Sequence, residues 1–160
     1  MKKYILVFLI LLSGITFAEK SYIIGFSIGY GGEPTKAVIK MDQLVEKSKY
    51  KLIRQELFTH DNATKCLAVI ICEILEKKGR LKLTKLEKQE INLAYKSDGK
   101  ITFYSGCDYK NITTIKDLLN GKYYNQKHST IKFYHNREFY HNFREQARKR
   151  YIDKIINSNI

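Results

Sequence analysis

The chain has no tryptophan, one proline and only 16 acidic residues against 29 basic ones in 160 positions. With Pro34 alone and no Ser/Gly-rich tract, nothing marks an internal linker, so a single folded unit is expected. The shortage of acids leaves a formal net charge of +13. Such a charge repels cationic partners and favours anionic ones: lipid head groups, envelope polysaccharide, nucleic acid. The sequence is also read as lacking a G-x-S-x-G elbow, C-x-x-C and H-E-x-x-H. Glycines 25, 29, 31 and 32 form no phosphate loop, because Pro34 interrupts the spacing and no Gly-Lys-Ser/Thr follows. No motif calls for a cofactor or a metal. The expectation is a binding or structural role without catalysis.

Long hydrophobic runs are scarce as well. The longest is at the N-terminus, where Lys2 and Lys3 precede an apolar core from Tyr4 to Leu12 and a less apolar tail from Ser13 to Ala18. Thr16 and Ala18 occupy the small-residue positions of a secretory cleavage site, which predicts a signal peptide over 1–18 cut after Ala18. The 15 residues from Tyr4 to Ala18 fall short of the roughly 20 that a spanning helix needs. An uncleaved N-terminal membrane anchor is the alternative. The remaining domain, 19–160, carries 27 basic and 16 acidic residues. Export would place it in the periplasm or outside the cell. Its partner would then be an anionic envelope component, a lipid head group or polysaccharide, or an envelope protein, with nucleic acid a candidate only without export.

Cysteine is limited to three positions. Cys66 and Cys72 lie in "TKCLAVIICEIL", read as a buried helix. Six residues apart on a helix, their Cα atoms are about 9 Å apart, beyond the ~7 Å reach of a disulfide. Either Cys107 bridges to Cys66 or Cys72, or all three thiols stay reduced and buried. A bridge would close a loop of about 40 residues, worth about 4 kcal/mol in the chain-entropy model.

The remaining pattern mixes strand and helix signals. Tyr22, Ile24, Phe26, Ile28 and Tyr30 alternate with small residues, a strand with one large apolar face. Pro34 is read as the first residue of a helix with Ala37, Val38, Met41, Leu44 and Val45 on its apolar stripe. Lys47 to Arg54 is read as a helix end and connector. Asp61 caps a second helix that reaches Lys78 and stops at Gly79. Thr84 and Glu87 form a capping box for a short helix, and Asp98-Gly99 is read as a hairpin turn. A brief helix ends at Gly121, a strand spans Thr130–His135, and a long basic helix capped by Asn136 closes the chain. The sum predicts an α+β fold: a short, mostly antiparallel sheet packed on about three helices.

Two constellations stand out. In "KFYHNREFYHNFREQARKRY", the tetrad Phe133–Asn136 recurs as Phe139–Asn142. On a helix, Tyr140, Phe143, Ala147, Tyr151 and Ile155 form a core-facing stripe, and Arg137, His141, Arg144 and Arg148 a row beside it. His135 and His141 are six apart, a poor helical spacing for joint metal ligation. Like charges along the row ask for an anion. It would come from inside, with Asp42, Glu46 or Glu56 as candidates, or from a ligand gripped by the Arg forks and Tyr140.

The second constellation is His60-Asp61 at a helix start, downstream of "GYGGEP". It resembles the secreted calcium-dependent phospholipases, which pair a glycine-rich calcium loop with a His-Asp opening a helix. The resemblance implies His60 as the base for a water and Asp61 as a calcium ligand, with the carbonyls of Tyr30 and Gly32. It covers two short fragments, and the family's flanking cysteines are missing. A secreted hydrolase is thus one alternative, and a structural subunit assembling through the Tyr22–Tyr30 strand is another.

Intact mass of the protein from fractionated cells tests the N-terminal reading. A chain starting at Glu19 in a soluble envelope fraction is expected; a chain retaining Met1 to Ala18 in the membrane would overturn it.

Overall fold

The computed structural model describes residues 22–27, 32–105, 109–121 and 143–158. It is a small mixed α+β domain in which a three-stranded sheet packs against helices around one hydrophobic cluster. In chain order the elements are β1 (Ile23–Ile24), α1 (Lys36–Glu46), α2 (Tyr50–Gln55) with a 3-10 turn at Glu56–Phe58, and α3 (Asn62–Lys77). Then follow α4 (Lys85–Ala94), β2 (Lys100–Ser105), β3 (Tyr109–Thr114), α5 (Ile115–Leu119) and α6 (Phe143–Asn157).

The core is organised by α3. Its segment Cys66–Cys72 is apolar all round, and every residue of that run is buried. A helix apolar on all sides must be enclosed on all sides, and α1, α2, α4, α5, α6 and β2 all touch it. Asp61 accepts from the backbone N–H groups of Ala63 (3.0 Å) and Thr64 (3.2 Å), satisfying two of the N–H groups that the first turn leaves open.

At the other end, Gly79 (φ 69°) closes α3. Its N–H donates to Glu76 and that of Arg80 to Leu75, the paired bonds of a Schellman turn. Helix α1 closes in the same way, with the Ser48 N–H on Val45 and the Lys49 N–H on Leu44. Here Ser48 takes the left-handed position (φ 50°) where glycine is favoured, a choice that costs about 1 kcal/mol.

The apolar stripes fall where periodicity places them. Ala37, Val38, Met41 and Val45 of α1 and Phe143, Ala147, Tyr151 and Ile155 of α6 are buried. Ile24 is buried and Ile23 is 42% exposed, as alternation requires. The strand expected from Tyr22 to Tyr30 is nevertheless cut short at Ile24 by a bend at Phe26 and Ser27, and Ile28 and Tyr30 lie outside the described residues. Phe143 stacks on Phe26 (centroids 5.3 Å apart) and meets Phe103 edge-on (5.5 Å), so one ring joins α6 to β2 and to the segment after β1.

Several expectations need correction. Pro34 lies outside α1, because Thr35 is the cap. Thr35 is held back from the helix by Gly25, whose carbonyl accepts from the Thr35 N–H and whose N–H donates to Thr35 Oγ1. Residues 50–55 of the supposed connector are helical, since the turn at Ser48 restarts the chain with Ile53 facing the core. Asp98-Gly99 is no hairpin turn. The Thr84–Glu87 capping box starts a helix that buries Ile91 and Ala94, so the residues before Asp98 are not free to form a strand. β2 pairs instead with β3, antiparallel, from Lys100↔Thr114 to Ser105↔Tyr109. The other pairing, Ile23↔Thr102 and Ile24↔Phe103, is parallel and short, so the sheet is antiparallel over most of its length with one parallel edge. The strand expected at 130–135 and the helix start at Asn136 lie outside the described residues.

Glu87 ties α4 to α2. Its carboxylate takes both Arg54 Nε (2.6 Å) and Nη2 (2.9 Å), and also accepts from the Thr84 N–H (2.7 Å) and hydroxyl (2.9 Å). The Arg54 bonds, outweighing burial, hold the Glu87 carboxyl below its ordinary value. A carboxylate depressed in the fold adds stability above its unfolded pKa of about 4.3 and loses it as pH falls through the lower folded value. Glu87→Gln is therefore expected to cost about 2 kcal/mol at pH 7. In urea unfolding, the gap between wild type and variant should narrow as pH falls below the unfolded value of about 4.3 and close once it has passed the lower folded one; a gap independent of pH would contradict this.

Candidate functional site

The arginine row of α6 divides in the structure. Arg144 turns inward: its Nη2 lies 2.7 Å from the Tyr95 hydroxyl and 3.3 Å from Glu73 Oε2. The Tyr95 hydroxyl donates to Glu73 Oε1 at 2.7 Å, and the Arg144 guanidinium sits over the Tyr95 ring at 5.5 Å. Burial, reinforced by the Glu73 carboxylate, pushes the Tyr95 phenol well above its ordinary value, so it stays protonated as the donor in this triad. Arg144 Nε is buried without a partner among the described residues. Arg148, one turn further on and part-exposed, has no carboxylate within ion-pair distance among the described residues. Arg137, Tyr140 and His141 lie outside the described residues.

The internal acids are used differently from expectation. Asp42, 8% exposed, receives Arg150 Nε at 3.1 Å and Lys154 at 3.6 Å, and Lys154 also pairs with Glu46. Glu56 pairs with Lys40 at 2.9 Å. None of the three expected acids meets Arg144 or Arg148, the described members of the row. Sequence reasoning missed Glu73 and Tyr95 because they come from α3 and the end of α4, and only packing brings them beneath α6. Arg150 was missed for a different reason: it lies off the row and reaches back to α1.

His60 and Asp61 line the rim of a cleft of about 970 Å3 together with Tyr22, Ile23, Glu33 and Lys36. His60 is exposed, but Asp61 is committed to the helix start. Its Oδ1 takes two backbone N–H groups and its Oδ2 the Thr64 hydroxyl at 2.9 Å. Among the described residues, no group of three or more His, Cys, Asp or Glu could hold a metal ion. Gly32 is described, at φ 63°, while Tyr30 is not among the described residues.

One pentad escapes the reading of absent catalytic motifs: Gly25-Phe26-Ser27-Ile28-Gly29 has the G-x-S-x-G spacing of a nucleophile elbow. An elbow needs a strand, a sharp turn and a helix in succession, with a histidine against the serine. Ser27 does follow β1, but the next helix begins at Lys36, and no hydrogen bond joins Ser27 to a histidine among the described residues. Gly32 is accounted for by its φ of 63°, and a Cβ there would also come within 3.2 Å of Ser27 Oγ.

Cys66 and Cys72 are free and fully buried. Burial pushes the Cys72 thiol up to about 12 and raises Cys66 further, which removes both as nucleophiles at neutral pH. Cys107 lies outside the described residues. Comparison of the chain with protein-family models, with curated proteins and with solved structures finds no match.

The divided row gives a direct test. Tyr95→Phe removes the hydroxyl that links Glu73 to Arg144 and is expected to cost about 1.5 kcal/mol of stability. Arg148→Ala should change stability by less than about 0.5 kcal/mol. Urea midpoints at pH 7 measure both; equal effects would contradict the division.

Proposed function

We propose that this chain is an exported, non-catalytic protein that binds an anionic component of the cell envelope or its surroundings. The observation that carries the reading is the use made of its scarce acids. Asp42, Glu46, Glu56, Glu73, Glu76, Glu87, Glu90 and Asp98 each pair with a lysine or arginine of the chain itself. That is half of all 16 acids. With those acids turned to intramolecular work, the surplus of cations faces solvent, as at Arg148 and the lysines of the helix ends. A surplus of this size raises the local concentration of anionic partners and accelerates encounter. Export supports the choice of an envelope partner over nucleic acid, and it rests on the pattern of Lys2 to Ala18.

The test measures binding of the purified 19–160 chain to dextran sulfate and to anionic vesicles at 50 and 200 mM salt. Binding to at least one, weakening by tenfold or more over that range, is expected, because the contacts are charge pairs that counterions screen. Absence of binding to both at low salt would overturn the reading.

A further inference from the structure

We propose that the groove between α2 and the start of α4 is the face on which this protein docks to an anionic phospholipid surface. The inference rests on the anionic-partner reading above and names both the partner and the face. The groove has a volume of about 460 Å3 and is lined by Tyr50, Lys51, Arg54, Phe58, Leu81 and Glu87. Phe58 is 43% exposed and Leu81 is part-exposed. Large apolar side chains left open beside cations are what an interfacial contact uses: the ring enters the head-group boundary while the charges stay with the phosphates.

The charge comes from the two Schellman turns. Lys47, Lys49 and Lys51 surround the turn after α1; Lys77, Lys78 and Arg80 surround the turn after α3. All six are exposed, and none has a carboxylate within ion-pair distance among the described residues. The two turns meet at Tyr50. Burial pushes its phenol up, while nearby Ser48, Arg80 and Ser158 bring it below its ordinary value, and the hydroxyl itself is buried without a hydrogen-bond partner among the described residues. Arg80 precedes Leu81, which lines the groove, so its charge stands at the groove's edge beside Tyr50.

The nearby acids do not cancel this charge. Glu46 holds Lys154, Glu76 holds Lys88, and Glu87 holds Arg54. The helix C-termini attract some of the lysines, but each contributes only about half a negative charge. A soluble polyanion would engage the lysines equally well; the open phenylalanine and leucine favour a bilayer. Contact would be peripheral, since no helix among the described residues is long and apolar enough to cross a membrane.

The experiment is co-sedimentation of the purified 19–160 chain with vesicles of phosphatidylglycerol and phosphatidylcholine, or of phosphatidylcholine alone, with dextran sulfate binding in parallel. Wild type is expected on the phosphatidylglycerol vesicles only. A basic residue near an anionic surface multiplies binding by about fivefold, so Lys51→Glu/Arg80→Glu should weaken it by about 25-fold or more. Phe58→Ser should weaken it several-fold while leaving dextran sulfate binding unchanged. Both variants alter exposed side chains, and circular dichroism confirms their fold. Dextran sulfate binding without vesicle binding would sink the inference and leave the wider reading intact. So would vesicle binding that Lys51→Glu/Arg80→Glu leaves unchanged but Arg148→Glu abolishes. Binding to neither probe would sink both.

Discussion

Everything else in the structure is arranged around a helix that cannot be left open to water on any side. From Cys66 to Cys72, α3 carries seven consecutive buried apolar side chains. Fully burying one isoleucine or leucine is worth about 2 kcal/mol, so exposing a flank of this helix would cost a large share of a typical domain's net stability. The remaining helices and β2 supply the cover, and each contributes one apolar stripe while keeping its opposite face polar. Cys66 and Cys72 belong to this packing, and their raised thiol pKa values follow from it.

The second constraint is the scarcity of acid. Polar ties between elements here are made mainly by carboxylates reaching across: Asp42 from α1 to α6, Glu73 from α3 to α6, Glu87 from α4 to α2. Glu87 and Asp42 are nearly buried, where an unpaired charge would be costly and a bidentate arginine restores the lost hydration. Spending carboxylates on such ties sets the character of the surface. Among the described residues, Lys47, Lys49, Lys77, Lys78 and Arg80 stand where a helix ends or a turn closes, with no carboxylate at ion-pair distance. The basic surface is thus partly a consequence of how the interior is held together.

Much of the secondary structure was legible because its signals are local. The Asp61 cap, the Gly79 stop, the Thr84–Glu87 box and the helix ending before Gly121 each depend on residues within one or two turns. One error arose where a distant contact decided the outcome: Gly25 sets the start of α1 through Thr35. The turn expected at Asp98-Gly99 failed for a local reason, because the Thr84–Glu87 box already commits the preceding residues to helix. The candidate site was less legible. Spacing put Arg144 and Arg148 on one row, but it could not say that Glu73 and Tyr95 lie beneath the first and that the second has no acid at ion-pair distance among the described residues.

By itself the sequence determined the apolar stripes, the caps and stops of the helices, the surplus of positive charge and the segment read as an export signal. These follow from composition and from periods of two and 3.6 residues, which need no knowledge of the neighbours. Only the tertiary structure decided which carboxylate meets which arginine, that β1 lies parallel to β2, and that the turns after α1 and α3 meet beside Tyr50. Ion pairing and groove formation require groups far apart in the chain to come within a few ångströms, and that proximity is created by packing around α3.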